Sequence, residues 1–233
     1  MNSKNTGIAF ISGAGLKPWI WKSVRKELTD IPTIAVDFGA KRSQNSLEDY
    51  VTTALDQLSE MKIDNWVVVA HSAGGIVGLE LSKQLGSKCK GFVGVSAAVP
   101  SLGKNFVSIL PIPMRIIMPI ILKKSGTKPP DSNIRESLCS GLDESTTGKV
   151  VKDFVDESVE LFLEPTSAAE LPTMPALYVV TKNDKEFSVD LQKKMSKRLP
   201  GGETRVIMSG HLPMISHPKE LVAIINDFYI SLD

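Results

Sequence analysis

One serine in this chain sits where its neighbours could make it reactive. The stretch Trp66-Val67-Val68-Val69-Ala70-His71-Ser72-Ala73-Gly74-Gly75 runs from an apolar strand into small residues and then into a helical pattern. A sharp strand-to-helix turn needs small neighbours, because bulky ones would collide with the incoming strand or helix. Such a turn holds the Ser72 hydroxyl at the carboxyl end of a sheet. It also aims the Ala73 N–H at the same spot, at a helix N-terminus. Ser72 could instead merely cap the helix that follows. The Gly74-Gly75 pair points to closer packing than a cap requires.

A serine is a poor nucleophile at neutral pH unless a base takes its proton and a third group orients that base. The sequence holds 3 histidines, so the search is short. His71 adjoins Ser72 in the turn, where neighbouring side chains diverge. His217 precedes Pro218 and fits the start of the last helix. His211 follows the strand pattern Thr204–Met208 and the small pair Ser209-Gly210, which makes it the candidate base. The candidate acid is Asp184, just past the strand pattern Ala176–Thr181, with Glu186 as a rival flanked by lysine. The chain order Ser72, Asp184, His211 is one of those used by nucleophile–base–acid triads. Acyl transfer also needs donors for the developing oxyanion. The glycine-rich end of the first strand, Ser12-Gly13-Ala14-Gly15, supplies the Ala14 N–H as a partner to that of Ala73.

Two other chemistries fit less well. Gly13-Ala14-Gly15 has the first glycines of a dinucleotide loop and Asp37 ends the next strand, but the third glycine position is Pro18. His71, His211 and His217 lack the clustered spacing of zinc ligands, so neither a metal nor an organic cofactor is expected.

The elements that must position these residues are legible as alternation. Short runs rich in Val and Ile mark strands at Gly7–Ser12, Thr33–Val36, Trp66–Ala70, Phe92–Ser96, Ala176–Thr181 and Thr204–Met208. Helical patterns cover Pro18–Leu28, Ser46–Leu58, Ala73–Leu85, Val189–Arg198 and Pro218–Ile230. Pro18 suits a first turn, Ser46 and Asp49 suit a capping box, and Gly86 suits a C-cap. The order predicts an α/β fold: a mostly parallel six-stranded sheet with helices on both faces. Residues 1–100 and 173–233 form the two parts of that core. The gap over 101–172 is too long for a loop and reads as a helical cap inserted after the fourth strand, with a short helix over Asn133–Cys139 and a longer one over Val150–Leu163.

Composition narrows the partners. With 27 basic and 26 acidic residues in 233, the formal net charge is +1 and no large basic cluster invites nucleic acid. Cys89 and Cys139 are too few for a disulfide scaffold and read as reduced thiols. The start of the chain lacks a signal-peptide core, so a cytoplasmic location is expected. Phe106–Leu122 is almost wholly apolar, but Pro111, Pro113, Pro119 and Arg115 interrupt it. No integral membrane association is expected from it. Phe106, Ile109, Met114 and Met118 in this run, with Trp19 near the first loop, are the candidate walls of an apolar substrate pocket. The same run could instead seal the cap to the sheet.

Four segments resemble the α/β-hydrolase superfamily, and within it the plant methylesterase and hydroxynitrile lyase branch with its bacterial esterase-like relatives. They are Ser12–Gly15 followed by Trp19 and Trp21, the turn Ala70–Gly75, the loop Thr181–Phe187, and Gly210–Met214 with Ser216-His217-Pro218. The resemblance covers roughly residues 6–100 and 172–231. It places Ser72 on the nucleophile, Asp184 on the acid and His211 on the base. It implies a serine hydrolase of the carboxylesterase type, cleaving a small, largely hydrophobic ester through an acyl-enzyme on Ser72. The sequence departs from the pattern at Ala70, where the turn usually begins with glycine, and at Ser12, where a histidine is usual. The superfamily's two earliest strands have no counterpart. Three other outcomes share this framework: a noncatalytic or weakly active ligand-binding protein, an acyltransferase, and a hydroxynitrile lyase. The lyase reading needs a polar group such as Lys123, Lys124 or Lys128 near Ser72. A homodimer is compatible with all of them.

Overall fold

A computed structural model describes residues 5–167, 170–171 and 173–232. Its framework is a parallel sheet of six strands: β1 (Thr6–Ile11), β2 (Thr33–Ala35), β3 (Asn65–His71), β4 (Cys89–Val95), β5 (Ala176–Thr181) and β6 (Glu203–Ile207). They lie in the order β2-β1-β3-β4-β5-β6, and every neighbouring pair is parallel. The central strands are hydrophobic on consecutive residues because both faces of the sheet are covered.

Alternation along each strand divides the core in two. Ala9 and Ile11 of β1, Val68 and Ala70 of β3, and Tyr178 and Val180 of β5 face one apolar cluster. Ile8 and Phe10, Val67 and Val69, and Leu177 and Val179 face the other. Helices α1 (Lys22–Glu27), α2 (Leu47–Ser59) and α3 (Gly74–Leu85) lie between the early strands. Tyr50, Val51 and Ala54 of α2 and Ile76 and Val77 of α3 pack on the first face, whereas Val24 of α1 packs on the second. Ser46 and Asp49 form the expected capping box at the head of α2.

Among the described residues, the regular structure between β4 and β5 is all helical. It contains α4 (Met114–Ser125), a short α5 (Asp131–Asn133) that widens into a π-helical turn over Ile134–Leu138, α6 (Glu144–Asp153) and α7 (Glu160–Leu163). The expected boundary at Pro172 lies outside the described residues. The single helix expected over Val150–Leu163 is instead two pieces, because a tertiary contact overrides its spacing. At Phe154 the backbone turns extended, and the Val155 N–H donates to the Gly15 carbonyl at 3.0 Å. That break brings Glu157 to the first loop. After β5 come α8 (Val189–Ser196), α9 (Pro213–Ser216) and α10 (Pro218–Ile230), the last with Pro218 in its first turn. Leu221 and Ile225 of α10 close the second face.

Candidate active site

Ser72 ends the hydrogen-bonded run of β3 and turns directly into α3 with φ of +51°. A left-handed backbone at a non-glycine residue costs energy and persists only where its surroundings hold it. Here the Ser72 N–H donates to the Val95 carbonyl at 3.3 Å, while its own carbonyl accepts from Gly75 at 2.9 Å and Ala98 at 2.8 Å. The turn tolerates no bulk next door. A Cβ at Gly74 would stand 2.3 Å from the Ser12 carbonyl oxygen, and one at Gly13 would stand 2.8 Å from the Ser72 Cβ. The first loop therefore lies directly against the serine turn. Ala70 is accommodated because α3 offers Gly78 opposite it, where a Cβ would be 2.7 Å from the Ala70 methyl.

His211 is fully buried, and its Nδ1 bonds Asp184 Oδ2 at 2.7 Å. Asp184 is held by four further donors. Oδ2 accepts the hydroxyls of Ser96 at 2.6 Å and Thr181 at 2.7 Å, and Oδ1 accepts the backbone N–H groups of Glu186 at 2.8 Å and Phe187 at 3.0 Å. Burial pushes the Asp184 carboxyl up, but the adjoining imidazole and these hydrogen bonds outweigh it, holding its pKa well below the usual carboxylate range. Gln192 of α8 braces the loop by bonding Thr181 and the Phe187 carbonyl. Glu186 is exposed and contributes only its backbone.

His71 has a different task. Its Nε2 lies 2.9 Å from the His211 carbonyl, which can only accept, so this nitrogen carries the proton. Burial drives its pKa well below 6.5, with the neighbouring His211 adding to the effect. A neutral His71 thus ties the His211 loop to the serine turn. His217 bonds the Ser216 hydroxyl and leads into α10. Among the described residues the Ser72 hydroxyl has no hydrogen-bond partner, and the buried His211 Nε2 has none either. A hydrogen bond between the Ser72 hydroxyl and His211 Nε2 is therefore not formed in this structure.

The candidate donors for an oxyanion lie in two turns. Ala73 stands immediately before α3, and Ala14 lies in the turn closed by the Leu16 N–H to Gly13 carbonyl bond at 3.1 Å. Neither N–H has an acceptor among the described residues. The next N–H, of Gly15, donates to Glu157 Oε1 at 2.8 Å. The same carboxylate pairs with buried Arg42 at 2.9 Å and accepts the Tyr50 hydroxyl at 2.5 Å. Burial, reinforced by the Glu157 charge, raises the Tyr50 pKa, so its hydroxyl remains a donor. The loop bearing Ala14 is thereby anchored to a buried ion pair.

The residues expected to wall a pocket separate into three groups. Phe106, Ile109 and Met118 belong to the apolar cluster that also holds Ala14, Ala73 and Phe187. The Phe106 ring lies 6.1 Å from that of Phe187, whose ring meets His211 edge-on at 5.5 Å. Trp19 packs on the opposite face, with Lys149 Nζ 4.0 Å above its ring. Met114 is in neither cluster and stands exposed on the outer side of α4. Sequence reasoning passed over Ser96, Thr181, Gln192 and Glu157. Thr181 closes β5, which leads into the acid loop, and Ser96 follows the end of the neighbouring β4; a place at a strand end is the one signal that pointed to them. A surface recess of about 520 Å³ beside Leu79, Val99, Leu171 and Arg198 includes none of Ser72, Asp184 or His211. No group of three or more potential metal ligands occurs among the described residues.

A serine on a strained strand-to-helix turn, with a buried histidine–aspartate pair from later strand ends of a parallel sheet, defines a class. The chain belongs to the alpha/beta hydrolase family, whose pattern matches residues 8–224. Among curated proteins it is similar to methyl jasmonate esterase 1 of Vitis vinifera, 25% identical over 257 residues and covering 97% of this chain and 98% of that one. Among solved structures it is similar to an extracellular alpha/beta-hydrolase from a Paenibacillus species, itself described as sharing structural and functional homology with tobacco salicylic acid binding protein 2. That match has 17% identity and a TM-score of 0.86 over 95% of this chain and 98% of the other. A pyrethroid hydrolase from Sphingobium faniae JZ-2 matches with 20% identity and a TM-score of 0.76 over 97% and 98%. At these identities the solved structures establish a shared fold.

Proposed function

We propose that the protein is a serine carboxylesterase that cleaves a small, largely hydrophobic ester through an acyl-enzyme on Ser72. The observation that carries this reading is the buried His211–Asp184 pair at 2.7 Å, tied through His71 to the turn that holds Ser72 at φ of +51°. In the mechanism, His211 Nε2 takes the Ser72 proton as the oxygen attacks the ester carbonyl. Asp184 fixes the imidazole through Nδ1 and stabilises its charged form, and the Ala14 and Ala73 N–H groups receive the oxyanion. Collapse expels the alcohol, which takes the proton from His211. Water, deprotonated by the same nitrogen, then attacks the acyl group and frees Ser72. These steps need no metal or organic cofactor.

The apolar cluster around Phe106, Ile109, Met118 and Phe187, adjoining Ala14 and Ala73, supports a hydrophobic acyl part. The helical connection between β4 and β5 serves as the cap over it. The esterase relatives support an ester, and a methyl or other short alkyl ester is the favoured form. The lyase alternative finds little support. Lys123 and Lys124 are exposed, and Lys128 faces Asp131 at 3.8 Å.

A panel of methyl and short-chain aryl and alkyl esters tests this, with product analysis in water and in added alcohol. Acid release by the wild type is expected, with a fall of roughly 10⁵-fold or more in Ser72→Ala at unchanged thermal stability. Hydrolysis that survives Ser72→Ala, or a product that is chiefly the new ester in dilute alcohol, would contradict the assignment.

A further inference from the structure

The apolar run that begins at Phe106 is only half used inside the protein. Phe106 and Ile109 are buried, and α4 turns Leu122 and part of Met118 inward. Its other face is bare. Ile116 is 64% exposed, Ile120 53%, and Ile117 and Ile121 41% each, with Met114 at 37% and the preceding Ile112 at 74%. Positions 116, 117, 120 and 121 follow helical spacing, so these side chains form one continuous stripe rather than scattered exposures. Contiguous apolar patches of this kind on a soluble fold mark an interaction site.

The charges beside the stripe select the partner. Arg115, Lys123 and Lys124 are all exposed on the same helix, and none has a carboxylate within 4.0 Å among the described residues. Residues 101–130 contain five basic side chains and no acidic one, although the whole chain nets only +1. A second copy of the chain laid on this face would bring like charges together and leave them unneutralised. An anionic lipid surface answers both features, since acyl chains take up the isoleucines and headgroup phosphates meet the cations. The helix has 12 residues, far short of the roughly 20 needed to cross a bilayer, so it would lie in the surface rather than span it. Long lysine side chains can bury their stems at that level and keep the ammonium among the phosphates.

We propose that the outward face of α4 docks the protein on an anionic lipid surface, with Ile116, Ile117, Ile120 and Ile121 inserted and Arg115, Lys123 and Lys124 at the phosphates. This does not depend on the hydrolase reading, and its test does not use activity.

The full-length protein is floated with vesicles of phosphatidylcholine alone and of equal parts phosphatidylcholine and phosphatidylglycerol. Partitioning onto the anionic vesicles only is expected. Each cation near such a surface contributes about fivefold, so Lys123→Gln/Lys124→Gln should weaken partitioning roughly 25-fold. Ile116→Gln/Ile120→Gln should abolish it. Lys193→Gln/Lys194→Gln on α8, also exposed, should leave it unchanged. All three pairs sit on exposed positions, and matching melting curves confirm that each variant is folded. Several results would overturn the proposal: no partitioning onto either vesicle, equal partitioning onto both, or equal loss in the α8 control. A concentration-dependent dimer that Ile116→Gln/Ile120→Gln dissolves, without vesicle binding, would assign the face to a second copy instead.

Discussion

Asp184 is the most constrained side chain of the site, and its environment makes it testable apart from catalysis. Four donors and an imidazole surround a carboxylate with no exposed surface. Its folded pKa lies below the ordinary value of 3.8, so the ionised form is favoured by folding. The contribution is complete above the unfolded pKa and is lost as pH falls from about 4 toward the depressed folded value. Asp184→Asn cannot ionise and lacks this dependence. Denaturant midpoints of wild type and Asp184→Asn should differ by a constant amount from pH 7 to pH 5. The difference should narrow below about pH 4. A difference that is the same at pH 6 and pH 3.5 would mean that the pair does not hold the carboxylate as described. At this scale the sequence was most informative where chemistry demands a residue type. The pairing of His211 with Asp184 was legible because few histidines compete and each of the two lies past a strand end. Ser96 and Thr181 were not, because a hydroxyl that steadies a carboxylate has no spacing of its own.

Among the elements, the first loop and the break between α6 and α7 form one device. Glu157 binds the Gly15 N–H, Arg42 and Tyr50 together, and all of these side chains are buried. Removing one member of a buried ion pair leaves the other uncompensated, at about 3–5 kcal/mol. For a domain of this size Glu157→Ala should lower the melting temperature by about 10 °C. Because the anchored loop carries Ala14, kcat for ester hydrolysis should fall more than KM rises, and Glu157→Gln, which still accepts from Gly15, should recover part of kcat. Equal kcat in Glu157→Ala and wild type would show that the loop keeps its shape unaided. The central strands were legible because runs buried on both faces have little other explanation. The α6–α7 break was not legible. The apolar positions 151, 154, 155, 159 and 162 keep helical spacing, while the cause of the break, the Gly15 carbonyl, lies about 140 residues away.

For the whole molecule, the sheet brings the ends of β1, β3, β4 and β5 to one rim, where the first loop, the serine turn, Ser96 and the acid loop converge. Helices on both faces bury the central strands, leaving that rim for chemistry, as in other open parallel sheets. The connection between β4 and β5 faces two ways. It gives Phe106 and Ile109 to the interior beside Ala14 and Ala73, and it turns the isoleucines of α4 outward. Composition could not separate those two fates, since an apolar run reads alike whether protein or lipid covers it. Both cysteines are buried, and burial raises the Cys139 thiol to about 11, so neither competes with Ser72 for electrophiles at neutral pH. The central claim is that His211 and Asp184 make Ser72 a nucleophile in the folded protein, and labelling with a fluorophosphonate followed by peptide mapping tests it most directly. The expected result is a single adduct on Ser72, absent from Ser72→Ala, from His211→Ala and from the denatured wild type. A folded protein that hydrolyses esters while Ser72 stays unlabelled, or that carries the adduct on another residue, would contradict it.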